Sequence, residues 1–117
     1  NQSRRQRQMC IRDSHCTGGG QTKVLHFTKK NRIIKDNLFD IPEVFNIIKS
    51  ESGCSYEEMY NVFNMGHRME IYCDKEYADE IIEISKKYNV DAKVIGRVEN
   101  SDKKELIIDN NEEIIYY

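Results

Sequence analysis

Several features that define common protein classes are missing from this chain of 117 residues. It has no long apolar run, so no membrane span is expected, and its polar, basic start is unlike a signal peptide. Its four cysteines form no C-x-x-C pair, which favours reduced thiols in a cytoplasmic protein over a disulfide framework. Neither the P-loop pattern G-x-x-x-x-G-K-[ST] nor the dinucleotide fingerprint G-x-G-x-x-G occurs.

Charge is distributed unevenly along the chain. The whole sequence holds 18 basic and 20 acidic residues, for a net charge of −2. Residues 1–14 contribute four arginines against one aspartate, so residues 15–117 are more acidic than the total indicates. An acidic body argues against nucleic acid as the main partner.

The first fourteen residues differ in character from the rest. As chemistry alone, this basic segment would suit a disordered arm that binds nucleic acid. The string RRQRQMCIRDS within it resembles a translated sequencing-library adapter, however, so we interpret residues 1–14 as non-native and disordered. On this interpretation the native sequence is cut just before His15, and residues 15–117 form one domain.

Helix and strand signals interleave along the remaining chain. Apolar periodicity and capping residues predict four helices. The first is short and starts near Gly20, and the second is opened by Asp40 and Pro42 and ends at Gly53. The third runs from Ser55 through Val62, and the fourth is capped by Asp74. Extended or alternating patterns predict strands within 32–39, 69–73, 92–98, 105–109 and 113–117. This order predicts an α+β fold, as a single mixed helix and sheet domain.

Two of the predicted helices carry apolar stripes that we expect to be buried. The first stripe consists of Val44, Phe45, Ile47 and Ile48, and the second of Tyr77, Ile81, Ile84 and Tyr88. Cys54 and Cys73 are likewise expected to be buried, inert thiols.

The run from His15 to Lys23 carries the strongest functional signal. Its three glycines, Gly18, Gly19 and Gly20, have no side chain to bury, and they suit a backbone that turns sharply or approaches a ligand closely. Successive backbone N–H groups before a helix start can bind an anion. Thr17 adds a hydroxyl and Lys23 a positive charge, which favours a phosphate. A flexible hinge or a tight turn is the alternative interpretation.

A second candidate lies in Phe63-Asn64-Met65-Gly66. Asn64 and Gly66 could present an amide and a close backbone to a ligand, or they could simply end a helix. His67 and Arg68 offer a further possible anion contact. His15, Cys16 and His26 lack the paired spacing of a zinc site, so no metal ligands are predicted.

Three segments together resemble one enzyme family. The H-x-T-G-G-G segment at 15–20, the E-M-x-x-x-F-N-x-G segment at 58–66 and the I-G-x-V segment at 95–98 are similar to the C-terminal domain of aminoimidazole ribonucleotide synthetase, also called phosphoribosylformylglycinamidine cyclo-ligase. The resemblance implies an α+β domain that follows an ATP-binding N-terminal domain in a homodimeric, cytoplasmic enzyme of purine biosynthesis. ATP and Mg²⁺ would be bound mainly by that N-terminal domain.

The resemblance also implies roles for individual residues. Phosphate of the substrate or nucleotide would be bound by Thr17, Gly18, Gly19 and Gly20, and the pocket would be lined by Asn64 and Gly66. His15 becomes a candidate for polar contact or proton transfer near the reacting centre. Many members continue the glycines with E-N-x-P-R, whereas this chain has Gln21-Thr22-Lys23-Val24-Leu25, so Lys23 is assigned in place of the arginine.

Other functions stay open at this point. The same architecture occurs in formylglycinamidine synthetase, selenophosphate synthetase, thiamine-phosphate kinase and a hydrogenase-maturation protein. A non-catalytic module that binds a phosphorylated metabolite is a further alternative. Without an ATP-binding domain, the 117 residues alone are expected to be inactive.

Overall fold

The computed structural model describes residues 12–15, 20–26 and 30–117. In chain order the elements are β1 (Arg12–His15), the 3-10 helix η1 (Gly20–His26), β2 (Asn31–Lys35), α1 (Glu43–Ser52), α2 (Tyr56–Val62), β3 (Met69–Tyr72), the 3-10 helix η2 (Lys75–Tyr77), α3 (Ala78–Lys87), β4 (Gly96–Asn100), β5 (Glu105–Asp109) and β6 (Ile114–Tyr116). The predicted α+β class is confirmed. Contacts group the chain into two compact units, Asn1–His15 with Met69–Val94 and Cys16–Arg68 with Ile95–Tyr117.

The larger unit is built on a mixed sheet of four strands in the order β4-β2-β5-β6. The central pair β2 and β5 is parallel, while β4 and β6 run antiparallel to their neighbours. On one face, Arg32 lies opposite Glu99 and Glu105 in the register. Its Nε is 2.8 Å from a Glu105 carboxylate oxygen, and this hydrogen bond lowers the pKa of Glu105 below its ordinary value. The ion pair therefore joins adjacent strands on the exposed side.

The other face of the sheet carries the core. Ile33 is buried beside Leu106 in the parallel register, and Ile108 is buried beside Ile115 of β6. Val24 of η1 and Met59 and Tyr60 of α2 complete the apolar layer. Alternation of side chains along a strand explains why every second residue of β2 and β5 faces this layer.

The termini of α1 and α2 test the predicted caps. The Ser55 hydroxyl accepts a hydrogen bond from the Glu58 backbone N–H at 3.2 Å, so the predicted cap of α2 is confirmed. The predicted cap by Asp40 is wrong: α1 begins at Glu43 after Pro42, and no side chain caps it. Asp74 does precede η2, but its side chain makes no capping hydrogen bond. Gly53 ends α1 with φ at +74°, as expected.

The predicted buried stripes are only partly correct. In α1, Phe45 and Ile48 are half-buried, whereas Val44 and Ile47 are 54 % and 53 % exposed. In the smaller unit, Ile84 is 49 % exposed and Tyr88, just after α3, is 76 % exposed. In α1 the covered side of the stripe is the one that carries Phe45, whose ring packs against Phe63. Cys54 and Cys73 are half-buried rather than buried.

The smaller unit contains β1, β3, η2 and α3. β1 pairs antiparallel with β3, with Arg12 opposite Tyr72 and His15 opposite Met69. Residues 12–14, which belong to the segment that the sequence analysis interprets as non-native and disordered, thus lie in β1, and that interpretation of residues 1–14 stays a prediction. Residues 1–11 lie outside the described part of the chain. Among the described residues, no helix is long and apolar enough to cross a membrane.

The strand predictions near the C-terminus are confirmed in part. β5 and β6 flank Asn110-Asn111 as expected, and Asn111 adopts φ of +73° in the turn. The Asn110 Oδ1 atom accepts hydrogen bonds from the backbone N–H groups of Glu112 and Glu113. The strand expected over 92–98 begins only at Gly96.

Candidate functional site

The start of η1 lies directly against the end of α2. A Cβ atom built on Gly20 would overlap the Phe63 carbonyl oxygen and lie 2.7 Å from both the Phe63 nitrogen and the Tyr60 carbonyl oxygen. Gly20 also has φ of +54°, a conformation that L side chains rarely adopt. Glycine is therefore required here by a backbone-to-backbone contact, and not by flexibility as the hinge interpretation would have it.

Two polar side chains after Gly20 strengthen this contact. The Gln21 Nε2 atom donates to the Asn64 carbonyl oxygen at 2.7 Å, and the Thr22 hydroxyl donates to Asn61 Oδ1 at 2.8 Å. Both Gln21 and Thr22 are buried. The beginning of η1 is consequently bonded both to α2 and to the segment that follows it, some forty residues further along the sequence.

Lys35 lies beneath this junction. It occupies a core-facing position of β2, two residues after Ile33, and is 2 % exposed. Its Nζ donates to Gln21 Oε1 at 2.6 Å and to the Gln21 carbonyl oxygen at 3.1 Å. A buried ammonium is tolerated only when polar groups of this kind surround it.

Asn64 to His67 form a tight turn after α2. The His67 backbone N–H donates to the Asn64 carbonyl oxygen at 3.0 Å, and both central residues, Met65 and Gly66, have positive φ. This matches a type I′ turn. The Asn64 Oδ1 atom accepts from the Gly66 N–H at 2.8 Å, which directs the amide nitrogen Nδ2 away from the turn. The alternative that Asn64 and Gly66 simply end the helix does not hold, because α2 ends at Val62 and Phe63 is extended.

The segment before α1 packs on the other side of this turn. A Cβ atom on Gly66 would lie 2.8 Å from the Pro42 ring, so Gly66 is needed for close packing as well as for its φ of +98°. The Phe39 backbone N–H donates to His67 Nε2 at 3.2 Å, and the two rings are 5.3 Å apart. His67 is buried with Nε2 acting as an acceptor, so this nitrogen does not provide the anion contact that the sequence suggested.

The structure describes the contacts of some predicted site residues, only the backbone position of others, and nothing of the rest. Gly20 lies against Phe63 and Tyr60, and its neighbour Gln21 is bonded to Asn64, which lies in the same turn as Gly66. Lys23 lies one turn further along η1 and is half-buried. For His15 the structure gives the backbone position in β1 of the smaller unit. Thr17, Gly18 and Gly19 lie outside the described residues, and their roles stay predictions.

Sequence reasoning did not identify Gln21 and Lys35 as parts of this cluster. A signal for Lys35 was present, because the apolar alternation of β2 places it on the same face as Ile33. Nothing in the pattern reveals Gln21, whose importance depends on a contact across 43 positions. Within the described residues, no group of three or more histidine, cysteine, aspartate or glutamate side chains could hold a metal ion.

A cavity of about 230 Å³ lies between α2, residues 38–41 and the turn at 109–112. Tyr56 donates to a Glu112 carboxylate oxygen at 2.7 Å, which raises the pKa of Tyr56 to about 12. Burial raises the pKa of Tyr60, with the neighbouring Asn110 amide acting in the opposite direction. Both phenols are therefore neutral at physiological pH, and the cavity offers hydroxyl groups instead of phenolate charge.

Tyr60 provides a stability test in this region. Its hydroxyl is close enough to the Asn110 amide for that group to act on the pKa of Tyr60, but among the described residues neither the hydroxyl nor the Asn110 Nδ2 atom makes a hydrogen bond of good geometry. Because an unsatisfied buried hydroxyl costs free energy, Tyr60→Phe should leave stability unchanged or raise it by about 1 kcal/mol. The matched control Tyr56→Phe loses its bond to Glu112 and should cost about 0.5–1.5 kcal/mol. Chemical denaturation measures the free energy of unfolding of both variants. A larger loss for Tyr60→Phe than for Tyr56→Phe would show that the Tyr60 hydroxyl is not unsatisfied.

The fold and this cluster define an α+β domain in which the start of η1 is bonded, through Gln21, to the turn after a short helix. Residues 14–109 match the family model described as AIR synthase related protein, C-terminal domain. The match covers most of the chain, and the chain belongs to that family.

Curated relatives carry one shared name. The chain is 40 % identical over 88 residues to the phosphoribosylformylglycinamidine cyclo-ligase of Methanococcus vannielii and 38 % identical over 88 residues to that of Methanocaldococcus jannaschii. Each alignment covers 75 % of this chain and 25 % of the relative. The enzyme of the same name from Staphylococcus carnosus is 30 % identical over 98 residues, or 81 % of this chain and 28 % of the relative. The chain thus spans about a quarter of the length of these relatives.

Proposed function

We propose that this chain is the C-terminal part of an ATP-dependent cyclo-ligase that converts formylglycinamidine ribonucleotide to aminoimidazole ribonucleotide. Support comes from family membership and from relatives that carry this enzyme name. In the reaction the formyl oxygen is phosphorylated to an iminophosphate. An amidine nitrogen then attacks the same carbon, the imidazole ring closes, and phosphate leaves with that oxygen.

The observation that carries the proposal is the bonded contact between η1 and the Asn64 turn. Two segments that resemble separate family motifs meet there, through Gly20 against Phe63 and through the Gln21–Asn64 hydrogen bond. We assign Thr17, Gly18, Gly19 and Gly20, with the Asn64 amide nitrogen, to binding phosphate of the substrate or nucleotide. Backbone N–H groups and an amide donor suit this task because phosphate oxygens accept several hydrogen bonds at once.

The remaining roles follow from the same proposal. Lys23 would add a positive charge near the bound phosphate, and His15 would serve in proton transfer. Gly66 would shape the pocket by allowing the turn to form. ATP and Mg²⁺ would be bound mainly by an N-terminal domain. The full-length protein would act as a cytoplasmic homodimer.

A turnover assay tests the proposal. Full-length protein should form aminoimidazole ribonucleotide and ADP from formylglycinamidine ribonucleotide and ATP, whereas the 117 residues alone should form none. Selenide and thiamine phosphate, each supplied with ATP, serve as competing substrates for the related enzyme classes. Turnover of either in place of the amidine would overturn the proposal, and so would cyclisation by the isolated chain.

A further inference from the structure

One face of the four-stranded sheet carries a contiguous apolar patch. Ile107 of β5 is the register partner of Ile34 in β2 and of Tyr116 in β6. Register partners share a face of a sheet, and so do residues two positions apart in one strand, which adds Ile114 to the set. Ile34 and Ile107 are half-buried, whereas Ile114 and Tyr116 are 53 % and 66 % exposed. These four side chains, the outer patch, lie on the face opposite to the core.

Beside the outer patch, the same face carries charged side chains that pair with one another. Arg32 bonds Glu105 at 2.8 Å, and Arg97 lies 3.0 Å from carboxylate oxygens of both Asp36 and Glu99. Charged groups of this kind are well solvated and need no covering layer. A covering element would therefore lie over the apolar half of the face, on β5 and β6, with the ion pairs at its margin.

The strands that carry the outer patch have the composition of strands buried on both faces. A strand with one face in water alternates apolar and polar residues, whereas burial on both faces gives a continuous apolar run. β5 contains Leu106-Ile107-Ile108, and Ile114-Ile115-Tyr116 makes up the whole of β6. The central strands β2 and β5 pair in parallel, an arrangement typical of sheets with helices on both faces. Both features indicate a second covering layer.

The position of β6 makes exposure of the outer patch unfavourable. β6 is an edge strand of the sheet, and an apolar edge left open to solvent invites pairing with other chains. Ile114 and Tyr116 are neighbours on one face, unlike the isolated apolar residues that are common on protein surfaces. The outer patch therefore has the properties of a surface that another element covers.

We propose that the outer patch is the docking surface for an amphipathic helix in the part of the full-length protein that precedes this chain. The inference rests on the proposed function, in which these residues are a C-terminal part. The chain spans about a quarter of the length of its relatives, so most of the polypeptide that could cover the sheet lies outside it. A helix suits the patch because its apolar stripe can contact neighbouring strands while its polar face stays in water.

Hydroxyl-radical footprinting of the wild-type full-length protein tests whether the patch is covered. Tyr116 is 66 % exposed in this chain, and a docked helix would bury it like a core residue. The oxidation of Tyr116 and Ile114 should then be about tenfold or more slower than in the urea-unfolded protein. The exposure of these residues in this chain alone would slow their oxidation only about twofold. Protection at that low level would overturn the proposal.

Photo-cross-linking identifies the element that covers the patch. The aromatic probe p-benzoylphenylalanine, placed at position 116 of the full-length protein, should form a link within one polypeptide to a peptide that precedes His15. Mixing isotope-labelled with unlabelled subunits distinguishes links within one polypeptide from links between two copies. The matched control places the same probe at position 103, where the Lys103 side chain is 78 % exposed in the loop before β5, and it should not reach that peptide.

The other results of cross-linking would overturn the proposal. These are a link between two copies, a link from position 116 to residues 15–117 alone, the same link from both probe positions, and no link at all. The turnover assay separates this proposal from the proposed function. A protein that forms aminoimidazole ribonucleotide while Tyr116 stays reactive would overturn the docking surface alone. A covered patch in a protein without cyclisation would support the docking surface and overturn the cyclo-ligase assignment.

Discussion

Gly20→Ala in the full-length protein should lower the free energy of unfolding by about 3–5 kcal/mol, through steric overlap together with an unfavourable φ. The new Cβ would overlap the Phe63 carbonyl oxygen and approach the Tyr60 carbonyl within 2.7 Å. Backbone atoms cannot move aside as the end of a side chain can. Relief would require η1 to separate from α2, which would also break the Gln21 and Thr22 hydrogen bonds.

Gly53→Ala is the matched control for this substitution. Gly53 has φ of +74°, yet a Cβ built there meets nothing within 4 Å. Gly53→Ala therefore costs only the free energy of holding alanine at a positive φ, about 1 kcal/mol. Urea unfolding followed by circular dichroism measures both variants. Equal losses at the two positions would show that the close contact at Gly20 does not exist in solution.

Gly19→Asp in the full-length enzyme should reduce kcat/KM for cyclisation by about a thousandfold or more, with little change in folding. The expected loss exceeds that for removing one hydrogen-bond donor, because a carboxylate would repel the phosphate that the glycine run is proposed to bind. Steady-state kinetics with formylglycinamidine ribonucleotide and ATP measure the effect, and circular dichroism checks the fold.

Gly53→Asp introduces the same charge at the end of α1, where there is open space. Aspartate tolerates this left-handed conformation better than most residues. Turnover of the control should stay within about threefold of the wild type, since surface substitutions away from a site have small effects. Near-normal turnover of Gly19→Asp would contradict the assignment of the glycine run to phosphate binding.

Local signals in the sequence predicted most of the elements. The Ser55 cap, the stop at Gly53 and the strands around Asn110-Asn111 depend on neighbouring residues alone, and all three are confirmed. The exposed halves of the α1 and α3 stripes could not be predicted, because periodicity shows which residues share a face but not what covers it. Asp40 failed as a cap because α1 begins three residues after it.

The candidate site was predictable only as two separate motifs. Their contact depends on Gln21 and Lys35, which are buried although they are polar. Local patterns predict apolar residues at buried positions, so they do not single out these two. Gly20 was singled out for closeness to a ligand, whereas the structure shows that it is close to the backbone of α2. The same residue thus has a structural requirement that holds whether or not phosphate binds.

The most direct test of the account is a crystal structure of the full-length protein with formylglycinamidine ribonucleotide and a non-hydrolysable ATP analogue. We expect one phosphate group that accepts hydrogen bonds both from the backbone N–H groups of the glycine run and from the Asn64 side-chain nitrogen. A structure in which every phosphate is bound by other residues, with neither segment within hydrogen-bonding distance, would contradict it.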